Sequence, residues 1–149
     1  MYEHILVGVD GSDTGKRGLG EALRLAKALG TQLRIVHVVN KMPWVTMDVD
    51  GSMLQEIMDQ LRSHGESILQ EALATARTAG VQAEGRLLEA PGSSVGQCLI
   101  EEASSWKAAL IVCGTHGRGG VRRIVMGSDA EYVVRHSSAP VLLVRAAAG

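Results

Sequence analysis

Short apolar runs alternate with longer stretches whose apolar residues recur every three or four positions, and the alternation holds from one end of the chain to the other. Residues 4–10 (HILVGVD), 33–39 (LRIVHVV), 81–88, 108–114 (AALIVCG) and 140–145 (PVLLVR) are compact and rich in branched side chains, which predicts buried strands. Between them, residues 14–29 set Leu19, Leu23, Ala26 and Leu29 at helical spacing, and residues 52–79 set Leu54, Ile57, Leu61, Ile68, Leu69 and Ala72 on one face. Residues 93–105 and 128–136 complete a set of four helices. Gly30 and Gly80 stand where helices stop. Gly65 reads as a break or weak point in the long helix, and Gly85 as a weakness in the third strand.

Strands separated by helices predict an α/β fold with five parallel strands, because parallel neighbours need long crossovers and a parallel sheet is covered on both faces. No linker, low-complexity run or internal repeat interrupts the pattern, so residues 1–149 are expected to form one domain. In open sheets of this kind ligands sit at the carboxyl ends of the strands, near the switch in strand order. That rule directs attention to Asp10, Val38 and Gly114.

Composition narrows the function classes. A formal net charge of -1 argues against a general nucleic-acid binder, which carries a basic excess. The chain has no Phe, two Trp and two Tyr, so it lacks stacking platforms for single-stranded nucleic acid. Cys98 and Cys113 match neither zinc nor Cys-x-x-Cys spacing and read as small buried hydrophobes. Nothing resembles a signal peptide, and no apolar stretch approaches the roughly 20 residues that span a bilayer. The expectation is a soluble, cytoplasmic protein without membrane or nucleic-acid partners.

The constellation with most chemical content is Gly114-Thr115-His116-Gly117, then nine residues, then Gly127-Ser128. It begins at the end of a predicted buried strand and finishes at the start of a helix. Glycine lets the backbone turn tightly and approach a ligand, so that N–H groups meet anionic oxygens. A helix start adds unpaired donors and a positive dipole end, which suits phosphate. Arg118, Arg122 and Arg123 add positive charge, and the Ser128 hydroxyl is a further donor. Ser128-Asp129-Ala130-Glu131 also fits a capping box, in which the serine caps the helix.

Residues 110–145 (LIVCGTHGRGGVRRIVMGSDAEYVVRHSSAPVLLVR) resemble the C-terminal half of the universal stress protein family, and HILVGVDGS resembles its first strand and loop. The similarity is weakest over residues 41–77. The family's ATP-binding branch carries G-x2-G-x9-G-[S/T], the spacing of Gly114, Gly117, Gly127 and Ser128. The resemblance implies a Rossmann-like sheet, a homodimer and a regulatory, stress-response role with ATP as bound ligand, Mg2+ accompanying its phosphates. It implies Asp10 at the ribose or adenine end, Val38 lining the adenine pocket, and Gly114, Gly117, Gly127 and Ser128 holding ribose and phosphates. The dimer contact it implies is strand five, from Pro140 to Val144, an apolar edge of the kind that invites pairing. Asp129 departs from the family, which usually has an apolar or small residue after the serine; a carboxylate there repels a triphosphate if it faces the site.

Two other motifs give way. Gly11-Ser12-Asp13-Thr14-Gly15-Lys16-Arg17 is one residue short of a Walker A loop and has Arg17 where Ser or Thr would meet magnesium. Gly92-Ser93-Ser94-Val95-Gly96 matches the nucleophile-elbow pattern, which makes a Ser94 hydrolase a remote alternative, but no histidine is tied to Ser94 and a helix N-cap at Ser93 or Ser94 is favoured. His37 reads as a satisfied core residue. Met42, Trp44, Met47, Met53 and Met58 form a Met-rich segment read as ordinary packing before a lid or partner surface. No general base is identifiable, so the sequence nominates no catalytic residue, although slow ATP hydrolysis stays compatible with it. The alternative reading is a protein-interaction module of the same fold whose site is empty or takes AMP.

Overall fold

The computed structural model describes residues 1–41, 48, 50–90, 94–115 and 126–145. Strands β1 (His4–Gly8), β2 (Gln32–Asn40), β3 (Ala83–Ala90), β4 (Leu110–Gly114) and β5 (Val141–Val144) alternate with helices α1 (Asp13–Leu29), α2 (Gly51–Thr78), α3 (Val95–Trp106) and α4 (Ser128–His136). The strands form one sheet in the order β3-β2-β1-β4-β5, and every neighbouring pair is parallel. The α/β fold with a five-stranded parallel sheet is therefore as the hydrophobic pattern predicts.

Successive strand residues point to opposite faces, and the two faces build two cores. Ile5, Val7, Leu33, Ile35 and Val112 pack under α1 and α2 with Leu23, Leu69 and Ala76. Leu6, Val36, Val38, Ile111 and Cys113 pack under α3 and α4 with Leu99, Ala103 and Val133. Among the described residues no helix is long and apolar enough to cross a membrane.

The glycines expected to weaken elements are contact points instead. α2 runs through Gly65 without a break. A Cβ there would lie 2.7 Å from His37 Cδ2 and 2.9 Å from Leu87 Cδ1. A Cβ at Gly85 would lie 2.9 Å from Leu73 Cδ1. Both glycines let the long helix settle onto β2 and β3, a gain in burial that outweighs their cost of about 1 kcal/mol in helix or strand propensity. His37 is satisfied as expected, its Nδ1 sharing a hydrogen bond of 2.8 Å with the Val9 carbonyl.

α3 is tied to the sheet by charge. Glu102 is only 8% exposed and receives Arg34 Nη1 at 2.6 Å. The same guanidinium donates to Glu84 through Nη2 at 2.6 Å and lies 4.4 Å from the Trp106 ring centroid. Trp106 in turn stacks on His4 at 4.6 Å. The pair spans 68 positions of sequence and joins β2 to the last turns of α3.

Candidate functional site

In the order β3-β2-β1-β4-β5 the chain leaves β1 toward β2 on one side and returns through β4 on the other. Connections diverge there, so the carboxyl ends of β1 and β4 leave a crevice. A cavity of about 480 Å³ occupies it. Its size falls within the roughly 300–1,000 Å³ usual for small-molecule sites.

Three helix starts border the cavity. At the first, Asp10 lies beyond the end of β1, and its Oδ1 accepts from the Ser12 N–H at 2.9 Å and the Ser12 hydroxyl at 2.5 Å. Ser12 Oγ accepts from the Gly15 N–H at 3.0 Å and so caps α1. Asp10 thus fills the turn-and-capping role while also lining the cavity with Ser12 and Gly15. At the second, Ser94 caps α3, its Oγ accepting from the Gln97 N–H at 3.0 Å. That engagement supports the cap reading over the hydrolase reading for Ser94. Gly92, Ser93 and His116 lie outside the described residues, and His136 Nδ1 is engaged with its own helix at Tyr132 O.

The third start corrects the capping box. Gly127, not Ser128, is the N-cap of α4, and no side chain caps it. The Gly127 N–H donates to the Thr115 carbonyl at 2.5 Å, which fixes Gly127 in extended backbone and leaves Ser128 as the first helical residue. The first helical bond is Glu131 N–H to Gly127 O at 2.9 Å. The N–H groups of Ser128, Asp129 and Ala130 therefore have no acceptor within the helix, as at any helix start. Asp129 is the second residue of α4, and its Oδ1 accepts from the Gly96 N–H of α3 at 3.1 Å.

Asp10, Val38, Gly114, Gly127 and Ser128 all line this one cavity, together with Asp129. Gly117 lies outside the described residues, as do Arg118, Arg122 and Arg123. Gly114 is not among the positive-φ glycines, so its value is close approach rather than turning: a Cβ would lie 3.1 Å from both Thr14 Cβ and Thr14 O. Val38 is 8% exposed and belongs to both the core and the cavity wall. Val36, Val95, Leu99, Ala130 and Val133 extend that wall and were not singled out in the sequence. Val36 was readable there, since it shares a strand face with Val38; Gly15 belonged to the stretch set aside as a defective Walker loop.

Cys113 also lines the cavity, and burial pushes its thiol up to about 11. It stays protonated near neutral pH and behaves as the small hydrophobe expected, not as a nucleophile. Of the Met-rich segment, Met58 is buried and Met53 exposed, while Met42, Trp44 and Met47 lie outside the described residues.

The family model described as the universal stress protein family matches residues 1–145. The chain belongs to that family. A universal stress protein of Thermus aquaticus is 36% identical over 148 residues, covering 97% of this chain and 100% of the relative. A crystal structure of a family member from Burkholderia pseudomallei superposes with a TM-score of 0.79 at 34% identity, covering 97% of both chains. Two further family structures hold nucleotides. One is a complex with cAMP (TM-score 0.72, 27% identity, covering 97% of both chains). The other is an Archaeoglobus fulgidus protein with dAMP (TM-score 0.68, 26% identity, covering 96% of this chain and 98% of that one).

Proposed function

We propose that this universal stress protein is a nucleotide-binding regulator that holds an adenine nucleotide in the cavity between β1 and β4. In this reading ATP is a bound ligand more than a substrate. Asp10 meets the ribose or adenine end, Val38 lines the base pocket, and Gly114, Gly117, Gly127 and Ser128 hold ribose and phosphates. The observation that carries it is the convergence, in one cavity of about 480 Å³, of an apolar wall with the first turn of α4, whose leading N–H groups have no acceptor within the helix and whose Ser128 brings a hydroxyl. Apolar walls suit a purine ring, and helix-start donors suit phosphate oxygens. Magnesium would come with the phosphates and complete its shell mainly from them and from water.

A second reading, a monophosphate such as AMP in the same cavity or an interaction module with no ligand, is favoured by one specific feature. The described lining residues include two acidic ones, Asp10 and Asp129, and no lysine or arginine. The relatives seen with cAMP and dAMP carry a single phosphate. The deciding experiment is to denature clean protein, identify the released small molecules by chromatography and mass spectrometry, and titrate the stripped protein with nucleotides and magnesium. Near-stoichiometric ATP supports the first reading and AMP or a cyclic monophosphate the second. An empty extract with no binding in titration defeats a nucleotide function.

The assembly proposed with it is a homodimer through β5. Among the described residues β5 is a sheet edge that pairs with β4, and it consists of Val141, Leu142, Leu143 and Val144. The opposite edge, β3, carries Glu84, Arg86 and Glu89, charges of the kind that keep an edge unpaired. Sedimentation is expected to give a dimer at micromolar concentration; a monomer there overturns this contact.

A further inference from the structure

We infer that Asp129 sets how many phosphates the cavity accepts, disfavouring a triphosphate relative to a monophosphate. The assignment rests on the reading of the cavity as an adenine-nucleotide site. Asp129 lies in the first turn of α4, where the donors of Ser128, Asp129 and Ala130 are the groups available to a phosphate. Glu131 is a second carboxylate in that turn. A carboxylate so close to a helix start competes with an incoming anion for the same positive potential.

Asp129 cannot simply turn away. Its Oδ1 accepts from the Gly96 N–H at 3.1 Å, and Gly96 is the second residue of α3, so the carboxylate bridges two helix starts. The two helices touch at that point: a Cβ on Gly96 would lie 2.9 Å from the Asp129 carbonyl oxygen and 2.9 Å from Tyr132 Cβ. Swinging the side chain out would leave the Gly96 N–H without this partner at a half-buried contact. The charge is thus held against the start of α3, on a half-buried residue that lines the cavity, where solvent screens it less than at the open surface. The penalty it imposes grows with ligand charge: least for a cyclic monophosphate, more for AMP and most for ATP.

Asp129→Asn isolates the charge, because the amide oxygen can still accept from Gly96 and the packing is unchanged. Titration calorimetry on the full chain, stripped of nucleotide and with divalent cations chelated, would compare free ATP, AMP and cAMP on wild type and D129N, since magnesium would cancel part of the triphosphate charge. ATP affinity is expected to rise by about tenfold in D129N while AMP affinity moves by less than about threefold. A merely structural Asp129 would leave the ATP-to-AMP ratio where it was, or lower both affinities together, and either result overturns the assignment while the nucleotide reading stands. If neither protein binds any of the three nucleotides, the reading of the cavity falls and the assignment falls with it. Thermal unfolding of both proteins checks that the substitution leaves the fold intact, and D129A, which removes the Gly96 contact as well, separates that contact from the charge.

Discussion

Replacing Glu102 with alanine is expected to lower folding free energy by about 3 kcal/mol, the low end of what breaking a buried ion pair costs. The low end applies because Arg34 keeps a second carboxylate, Glu84, and a ring to lie against, Trp106. The loss still has to be large. The Arg34 side chain is 15% exposed and that of Glu102 9%, so the remaining guanidinium would face α3 with its more buried partner gone. Urea denaturation measures the change directly, since the midpoint falls in proportion when the slope is preserved. Replacing both partners, as in R34M/E102L, is expected to recover most of it, because an apolar pair of similar volume needs no desolvation. A single-mutant loss below about 1 kcal/mol would mean that the pair is as weak as a surface ion pair and does not tie α3 to β2.

That pair also marks where sequence reading stops. Strand and helix placement was legible because the central strands β1 and β4 are buried on both faces and each helix shows an apolar stripe, patterns that need only neighbouring residues. The strand ends at the switch point were legible for the same reason, which is why Asp10, Val38 and Gly114 stood out. Arg34 and Glu102, 68 positions apart, have no local signature that pairs them. Leu99 and Val133 form part of the cavity wall only because α3 and α4 lie side by side on one face of the sheet.

The misreadings were local rules overruled by long-range contacts. Ser128-Asp129-Ala130-Glu131 has the letters of a capping box, yet the hydrogen bond from Gly127 N–H to Thr115 O moves the cap back by one residue. Gly65 and Gly85 have the letters of weak points, yet each is where another element comes closest. Asp129 was legible as an oddity, but its partner Gly96 lies 33 positions away and only the fold brings them together.

Gly15→Ala is expected to damage both the start of α1 and the cavity, and Gly20→Ala in the same helix is its control. A Cβ at Gly15 would lie 2.6 Å from Asp10 Oδ1 and 3.2 Å from Ser12 Oγ. The first distance is too short for any side chain, so the Asp10 carboxylate has to move, and with it the hydrogen bonds that hold Ser12 as the cap. Loss of that cap alone costs about 1 kcal/mol. Strain at a tightly packed position adds about 1–3 kcal/mol. Because Asp10, Ser12 and Gly15 all line the cavity, nucleotide affinity is expected to fall by on the order of tenfold or more, a loss of about 1.4 kcal/mol in binding. At Gly20 an added Cβ meets nothing within 4 Å, and the residue is exposed in mid-helix. Alanine there is expected to raise stability by up to about 1 kcal/mol and to leave nucleotide affinity unchanged, through helix propensity and a less flexible unfolded chain. Thermal unfolding and nucleotide titration on both variants separate the two effects. If G15A unfolds at a lower temperature but binds as wild type does, the turn from Asp10 to Gly15 supports the fold without contacting the ligand. If it binds more weakly while G20A does not, this turn forms one wall of the nucleotide site.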